Sequence, residues 1–347
     1  MKKFLLATTL IVAGVSAASA EVTLSGDARM GLVNGYVFDP TEDDSTTFTS
    51  RARVTFTLSG ESDSGLSFGA SFRADNAGDA AGGTAGSVFV TGAFGTLSMG
   101  DVDGAAAAAV GQASGVGLTG LGDAQEVMFV ANGGLGGDVA EALDLLDANG
   151  DPVTLTGDPS VLYTYTTGGL SLYASGTLPG HVTEVAGLTG ELEGEAYALG
   201  AAYSFDGYKV SLGYETVSLD EVGGTDSGDI EHIVVGADAT LGGVGIQFRY
   251  GTADIDENGV AFAELEQASI AATYSMDSVA VTGFYAIKDF AEVGGTGLLE
   301  TDAYGIGASY DLGGGASVKG GIARIKGTDG TDAVDDSSFD VGLTFSF

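Results

Sequence analysis

Cysteine and tryptophan are absent from these 347 residues, proline occurs 4 times, and 12 basic residues stand against 48 acidic ones. Each shortage removes a class of explanation. Without cysteine there is neither a disulfide scaffold nor thiolate chemistry. With so little proline and 44% apolar residues the chain is no disordered linker, since such linkers are rich in the first and poor in the second. A formal charge of −36 argues against nucleic acid, itself a polyanion, as a partner. No internal segment carries the long apolar run of a membrane-spanning helix. His181 and His232 stand isolated in the sequence and no serine has a triad pattern around it, so nothing positive supports an enzyme.

The first twenty residues read as a cleaved export signal. Lys2 and Lys3 form a positive start, Phe4 to Val15 is apolar, and Ala18-Ser19-Ala20 supplies small residues at the cleavage site. The expected mature chain is a single domain spanning 21–347, that is 347 − 20 = 327 residues. Removing the two lysines leaves 10 basic and 48 acidic residues, a formal charge of −38.

What is abundant is alternation. From Val22 to Met30 the even positions are apolar or small and the odd ones polar or charged. Residues 46–59 and 66–75 repeat the pattern, with Phe48, Val54, Phe56 and Phe72 on one side and Arg51, Arg53 and Arg73 on the other. Successive strand side chains point to opposite faces, so each segment predicts a strand with one apolar face. The same reading places strands near 86–93, 96–100, 161–166, 170–175, 195–205, 208–216, 230–240, 244–252, 265–275, 279–287, 301–310, 316–325 and 337–347, sixteen in all.

Connector lengths then alternate. Tight turns fall at Gly60–Gly65, Phe94-Gly95, Gly168-Gly169, Asp206-Gly207, Leu241–Gly243, Met276–Ser278 and Leu312–Gly315. Long acidic loops are expected at 34–45, 76–85, 101–160, 176–194, 217–229, 253–264, 288–300 and 326–336. Short turns at one end and long loops at the other are the anatomy of an even-numbered transmembrane barrel. A soluble sandwich also alternates faces, but it does not call for sixteen up-and-down strands with loop length set by end. The C-terminal stretch Phe339–Phe347 alternates strictly and closes on an aromatic residue, as outer-membrane barrels do. In hydrocarbon an unpaired backbone amide costs several kcal/mol, so the sheet must close on itself. Apolar faces then look out to lipid and polar faces inward, and sixteen strands leave room for an aqueous lumen. Tyr203, Phe205, Tyr208, Tyr274 and Tyr310 lie near strand ends, where an interfacial girdle belongs.

Several stretches resemble one family. Ser25-Gly26-Asp27-Ala28-Arg29-Met30-Gly31, Ser50-Arg51-Ala52-Arg53-Val54, Asp63–Phe72, Gly92–Asp101, Leu162-Tyr163-Thr164-Tyr165 and Tyr304–Ser317 are similar to segments of the trimeric general porins of photosynthetic purple bacteria and related alphaproteobacteria. The resemblance spans the mature chain, with divergent external loops. It implies a sixteen-stranded homotrimer of the Gram-negative outer membrane, among lipid and lipopolysaccharide. It also implies a third loop folded inward to narrow a pore for small polar solutes and ions.

The 101–160 connector holds ten acids and no lysine or arginine, and Ala105 to Ala109 could begin a short helix. Four of the six arginines, Arg29, Arg51, Arg53 and Arg73, share the inward phase of the first three strands. In the resembling porins, arginines at these positions face the acidic loop, for which Asp101, Asp103, Asp123 and Glu126 are the candidates here. Opposed walls of unlike charge would set up a transverse field that orients water and polar solutes. The expected activity is passive and weakly cation-selective and requires no cofactor. A solute-specific porin with saturable flux and a plugged structural or adhesive barrel are the alternatives.

Two motifs carry little. Asp254–Gly259 copies the first half of an EF-hand loop, but Leu265 occupies the position of its terminal glutamate. A looser structural Ca²⁺ site among loop carboxylates stays open, with no ligand set. Gly115–Gly120 fits a dinucleotide pattern by letter, as chance allows in a chain with 59 glycines.

Overall fold

The computed structural model describes residues 21–35, 46–75, 86–131, 160–182, 192–221, 227–293, 297–329 and 332–347. The expected signal at 1–20 lies outside them. Sixteen strands follow in order: β1 (Glu21–Asn34), β2 (Thr46–Glu61), β3 (Ser67–Asp75), β4 (Ser87–Gly92), β5 (Gly95–Gly100), β6 (Ser160–Thr167), β7 (Leu170–Val182) and β8 (Leu192–Phe205). Then come β9 (Tyr208–Glu221), β10 (Ser227–Leu241), β11 (Val244–Glu257), β12 (Val260–Met276), β13 (Val279–Glu292), β14 (Gly297–Gly313), β15 (Ala316–Asp329) and β16 (Asp332–Ser346). Among the described residues one helix, α1 (Ala105–Val110), interrupts the order between β5 and β6.

Each strand pairs antiparallel with its neighbours in sequence, and β1 pairs with β16 to close the barrel. The seam is tied to the end of the chain: Phe347 donates its amide to Gly26 O at 2.9 Å, and Gly26 donates back at 3.3 Å. Closure leaves no sheet edge, which is what hydrocarbon requires.

Alternation decides which face looks out. Leu24, Leu199, Leu212 and Ile322 are exposed on the outer wall, at 62%, 60%, 51% and 58%. Tyr203, Phe205, Tyr208, Tyr274 and Tyr310 are exposed at the short-turn end, and the first three stack in sequence. Nearer the other end, outward tyrosines donate to carboxylates: Tyr197 to Glu195, Tyr214 to Glu231, Tyr250 to Glu266 and Tyr285 to Asp302. An amphipathic ring with its hydroxyl turned toward polar groups suits each border of the hydrocarbon.

The seven tight turns lie where alternation ends. Five of the eight long loops are shorter than expected, because strands run on past the apolar band. The 253–264 connector is the two-residue turn Asn258-Gly259, and strands also enter 176–194, 217–229, 288–300 and 326–336. Both turn residues have positive φ, 52° and 73°, the type I′ geometry that matches strand twist. The half EF-hand motif is therefore the tip of a hairpin. Outward positions there turn polar, so hydropathy falls while backbone pairing continues. An estimate of strand length from apolar residues alone stops too early.

Candidate functional site

The chain between β5 and β6 enters the barrel. Its first turn, α1, lies against β7, β8, β9 and β10. A six-residue helix is not stable by itself in water. Here the wall supplies its ends: Ala105 N donates to Ser175 Oγ at 2.8 Å, and Arg249 Nε donates to Gly111 O at 2.8 Å. A cation at a helix C-terminus is electrostatically favoured. Arg249 is buried, at 2% exposure, and pairs with Asp238 at 2.6 Å. The polyalanine sequence is set by space. A Cβ on Gly200 would stand 2.6 Å from the Ala109 Cβ, and one on Gly213 would stand 2.5 Å from the Ala106 Cβ.

From α1 the strap follows the inner wall. Ser114 bonds Gln247 on β11 through both its amide and its hydroxyl. Leu118 and Thr119 reach β16, where Asp340 Oδ2 accepts both amides, at 2.7 and 2.6 Å, and the Thr119 hydroxyl at 2.8 Å. The approach is close enough that a Cβ on Gly31 of β1 would stand 2.5 Å from Leu118 Cδ2. After a turn the strap doubles back, held to its outward run by Gln112 paired with both backbone groups of Val127. It then crosses β12, where Gln267 pairs with both backbone groups of Met128, and reaches β9, where Glu215 accepts Val130 N and Ala131 N. Residues 132–159 of the expected loop lie outside the described residues.

Apolar strap residues form two apolar seams with the wall. One joins Val127, Phe129 and Val130 to Val217, Ile230, Ala253 and Leu265; the other joins Val116, Leu121 and Ala124 to Phe284, Ala303 and Ile325. The inner face is thus not polar throughout, as strand alternation suggested. Under the strap it is glycine, alanine and aliphatic, because a second layer of protein covers it.

The arginines lie on β1–β3. Arg29 stands opposite Arg51 in register, Arg53 lies between Asp27 and Asp75, and Arg73 faces Thr55. Arg51 pairs with Asp27 at 2.9 Å, while Arg53 and Arg73 share Asp75 at 3.2 and 2.5 Å. The wall is therefore basic but internally braced, with two carboxylates spacing four guanidiniums.

A sixteen-stranded barrel with a strap inside it and charge on its open wall is an architecture that comparisons recognise. The Gram-negative porin family matches residues 7–330. The chain belongs to that family. The porin of Rhodobacter capsulatus is 36% identical over 94% of this chain and 100% of its own length. That of Fuscovulum blasticum is 28% identical over the same shares. A porin structure refined at 1.8 Å is 30% identical, with a TM-score of 0.70, covering 94% of this chain and all of that one. A variant of Rh. blastica porin superposes with a TM-score of 0.61 at 26% identity over the same shares. As a Gram-negative porin the chain is an outer-membrane channel protein.

In this porin the four arginines predicted from sequence come together on one wall, and the four acids divide into two pairs. Asp101 and Asp103 are exposed at the root of the strap, where the Asp101 amide is tied to Gly86 O at 2.8 Å. Asp123, exposed, and Glu126, half-buried, occupy the turn beyond the Leu118 tip, where the Glu126 amide donates to Asp123 O at 2.8 Å. That tip reaches Gly31, two residues from Arg29 on the same strand. Among the described residues no three His, Asp or Glu side chains gather to hold a metal ion.

The residues that fasten the strap escaped the sequence reading. Ser175, Glu215, His232, Gln247, Arg249, Gln267 and Asp340 are ordinary polar letters at inward positions. His232, isolated in the sequence, is fully buried and lies 2.7 Å from Glu215. A faint signal existed: after Glu195, strand 195–205 is small or apolar on both phases, which a wall facing open water would not need.

Proposed function

We propose that this porin passes small hydrophilic solutes and ions by passive diffusion, with a weak preference for cations, through a lumen bounded by the arginine wall and the strap. The observation that carries the reading is the grouping of Arg29, Arg51, Arg53 and Arg73 on three adjacent strands, braced by Asp27 and Asp75. The strap layers mainly against β7 to β16 and touches β1 only at its Leu118 tip, beside Gly31, so most of the arginine wall is left uncovered. Low-dielectric walls concentrate the field between unlike charges. Polar solutes gain from aligning in that field; apolar ones must displace oriented water and pass more slowly. Asp101, Asp103, Asp123 and Glu126 supply the negative side in this reading, and together with the acidic mouth they outweigh the arginines.

The working unit is a homotrimer in outer-membrane lipid and lipopolysaccharide, reached after residues 1–20 direct export to the periplasm. No cofactor takes part; a calcium ion among external carboxylates would be structural. Single-channel recording in a planar bilayer under a salt gradient tests the proposal. Ohmic steps grouped in threes with a cation-favouring reversal potential support it. A silent bilayer from verified folded protein rejects it.

A further inference from the structure

Glu215 on β9, His232 on β10 and Gln267 on β12 are wholly buried on the inner wall, and diffusion through the pore uses none of them. Between His232 and Gln267 the intervening strand β11 carries Gly251. A Cβ there would stand 2.7 Å from His232 Nε2 and 3.0 Å from Gln267 Nε2, so glycine is what lets the two side chains meet.

The hydrogen bonds admit one proton arrangement. Gln267 Oε1 accepts Met128 N at 2.7 Å and its Nε2 donates to Met128 O at 3.0 Å. Because both partners are backbone groups of one residue, reversing the amide would set donor against donor and acceptor against acceptor. The Gln267 Nε2 group therefore faces His232 Nε2, 3.3 Å away, as a donor. His232 Nε2 must accept, so its proton sits on Nδ1, which donates to Glu215 Oε2 at 2.7 Å. Glu215 meets donors throughout: that imidazole, Val130 N at 2.9 Å and Ala131 N at 3.3 Å. It is an ionised carboxylate beside a neutral imidazole.

There is no place for one more proton. On His232 Nε2 it would confront the Gln267 amide donor, and turning that amide would break both bonds to Met128. On Glu215 it would remove an acceptor from His232, Val130 or Ala131. We propose that His232, through Glu215 and Gln267, is a proton-sensitive positioning residue for the strap, releasing Met128–Ala131 from the wall as the medium acidifies. Histidine is the side chain that changes charge between about pH 5 and about pH 8. The fastened form holds one proton fewer, so fastening is complete at high pH and is lost as pH falls.

One further charge faces the network: Lys288 on β13 is buried on the inner wall and stands opposite Gln267 in register. Lys209 on β9, Asp238 on β10 and Arg249 on β11 share the inner face, but Arg249 is committed to Asp238 and to Gly111 O. The inner face of β12 from Ala263 to Ala271 bears no charge, nor do strap residues 127–131, and among the described strap residues the nearest acids in sequence are Glu126 and Asp123.

The test rests on the pore reading for one arm only. The chain has no cysteine, so Ala131→Cys introduces a single thiol at a buried position, 5% exposed. Its labelling rate by a methanethiosulfonate, divided by that of Ser64→Cys in an exposed turn, cancels the effect of pH on thiolate. From about pH 8 to about pH 5 the ratio is expected to rise several-fold, and the rise to disappear when His232→Gln is added. In bilayers the acid-induced open-channel noise of the native protein is expected to be absent from His232→Gln, while Glu215→Gln is noisy at every pH. A flat labelling ratio, or an equal rise with and without His232→Gln, overturns the latch. A rising ratio with no change in current leaves the latch standing and overturns the strap as a pore wall.

Discussion

Asp340 on β16 holds Thr119 against the inner wall: one carboxylate oxygen accepts the threonine hydroxyl at 2.8 Å and its amide at 2.6 Å. The same oxygen takes Leu118 N, and Gly117 just before it has φ of +86° with a Cβ position only 2.5 Å from Asp340 Oδ1. A carboxylate seated this closely against backbone needs both the glycine and the amides. Asp340→Ala leaves three donors without an acceptor, the buried Leu118 amide and the half-buried Thr119 amide and hydroxyl, each costing up to about 1–3 kcal/mol if water does not replace it. Urea unfolding in detergent is expected at a clearly lower midpoint, with Asp340→Asn intermediate because it keeps one acceptor oxygen. Equal midpoints for Ala and Asn would show that the carboxylate contributes no more than bulk.

The arginine wall predicts a direction for selectivity. Replacing Arg51 and Arg53 by Gln removes two of four positive charges and frees Asp27 from its partner. Reversal potentials under a KCl gradient are expected to shift toward stronger cation preference, and to shift less as ionic strength rises and screening shortens. An unchanged potential would place these side chains away from the ion path.

Close approach between strap and wall predicts that added bulk beneath α1 is felt in the pore. With a Cβ at Gly213 only 2.5 Å from the Ala106 Cβ and 2.9 Å from its Cα, Gly213→Val cannot be absorbed by a side-chain rotation. Overpacking of this sort costs about 1–3 kcal/mol. The expected result is a folded barrel with altered conductance, while Gly228→Val, which has more than 3.6 Å of clearance, leaves conductance as it was.

Outer and inner walls should respond differently to charge. Leu212 is exposed to lipid between the outward rings of Tyr208 and Tyr214. Leu212→Arg is expected to destabilise insertion by about 2–4 kcal/mol. Ser309→Arg, on the inner face of β14, is expected to change stability little and to change ion preference instead. Folding titrations into lipid vesicles measure the first; reversal potentials measure the second.

The barrel was legible in the sequence because each strand records its own environment. Lipid on one side and water or protein on the other impose a period of two, and turns at one end are short enough to name from Asp206-Gly207 or Gly168-Gly169 alone. Strand ends beyond the apolar band were not legible. There the outward residues are Glu231, Asp254 or Glu266, and pairing continues through backbone groups that no side-chain pattern reports. The arginine cluster was legible because neighbouring strands in a meander keep their order, so Arg29, Arg51 and Arg73 had to be neighbours. The strap's fastening was decided only in three dimensions. Its bonds join Met128 to Gln267 and Thr119 to Asp340, across 139 and 221 residues, and such pairs leave no local signature. Local periodicity is written by the solvent each residue meets; a contact between a loop and a distant wall depends on barrel closure, which brings the wall within reach.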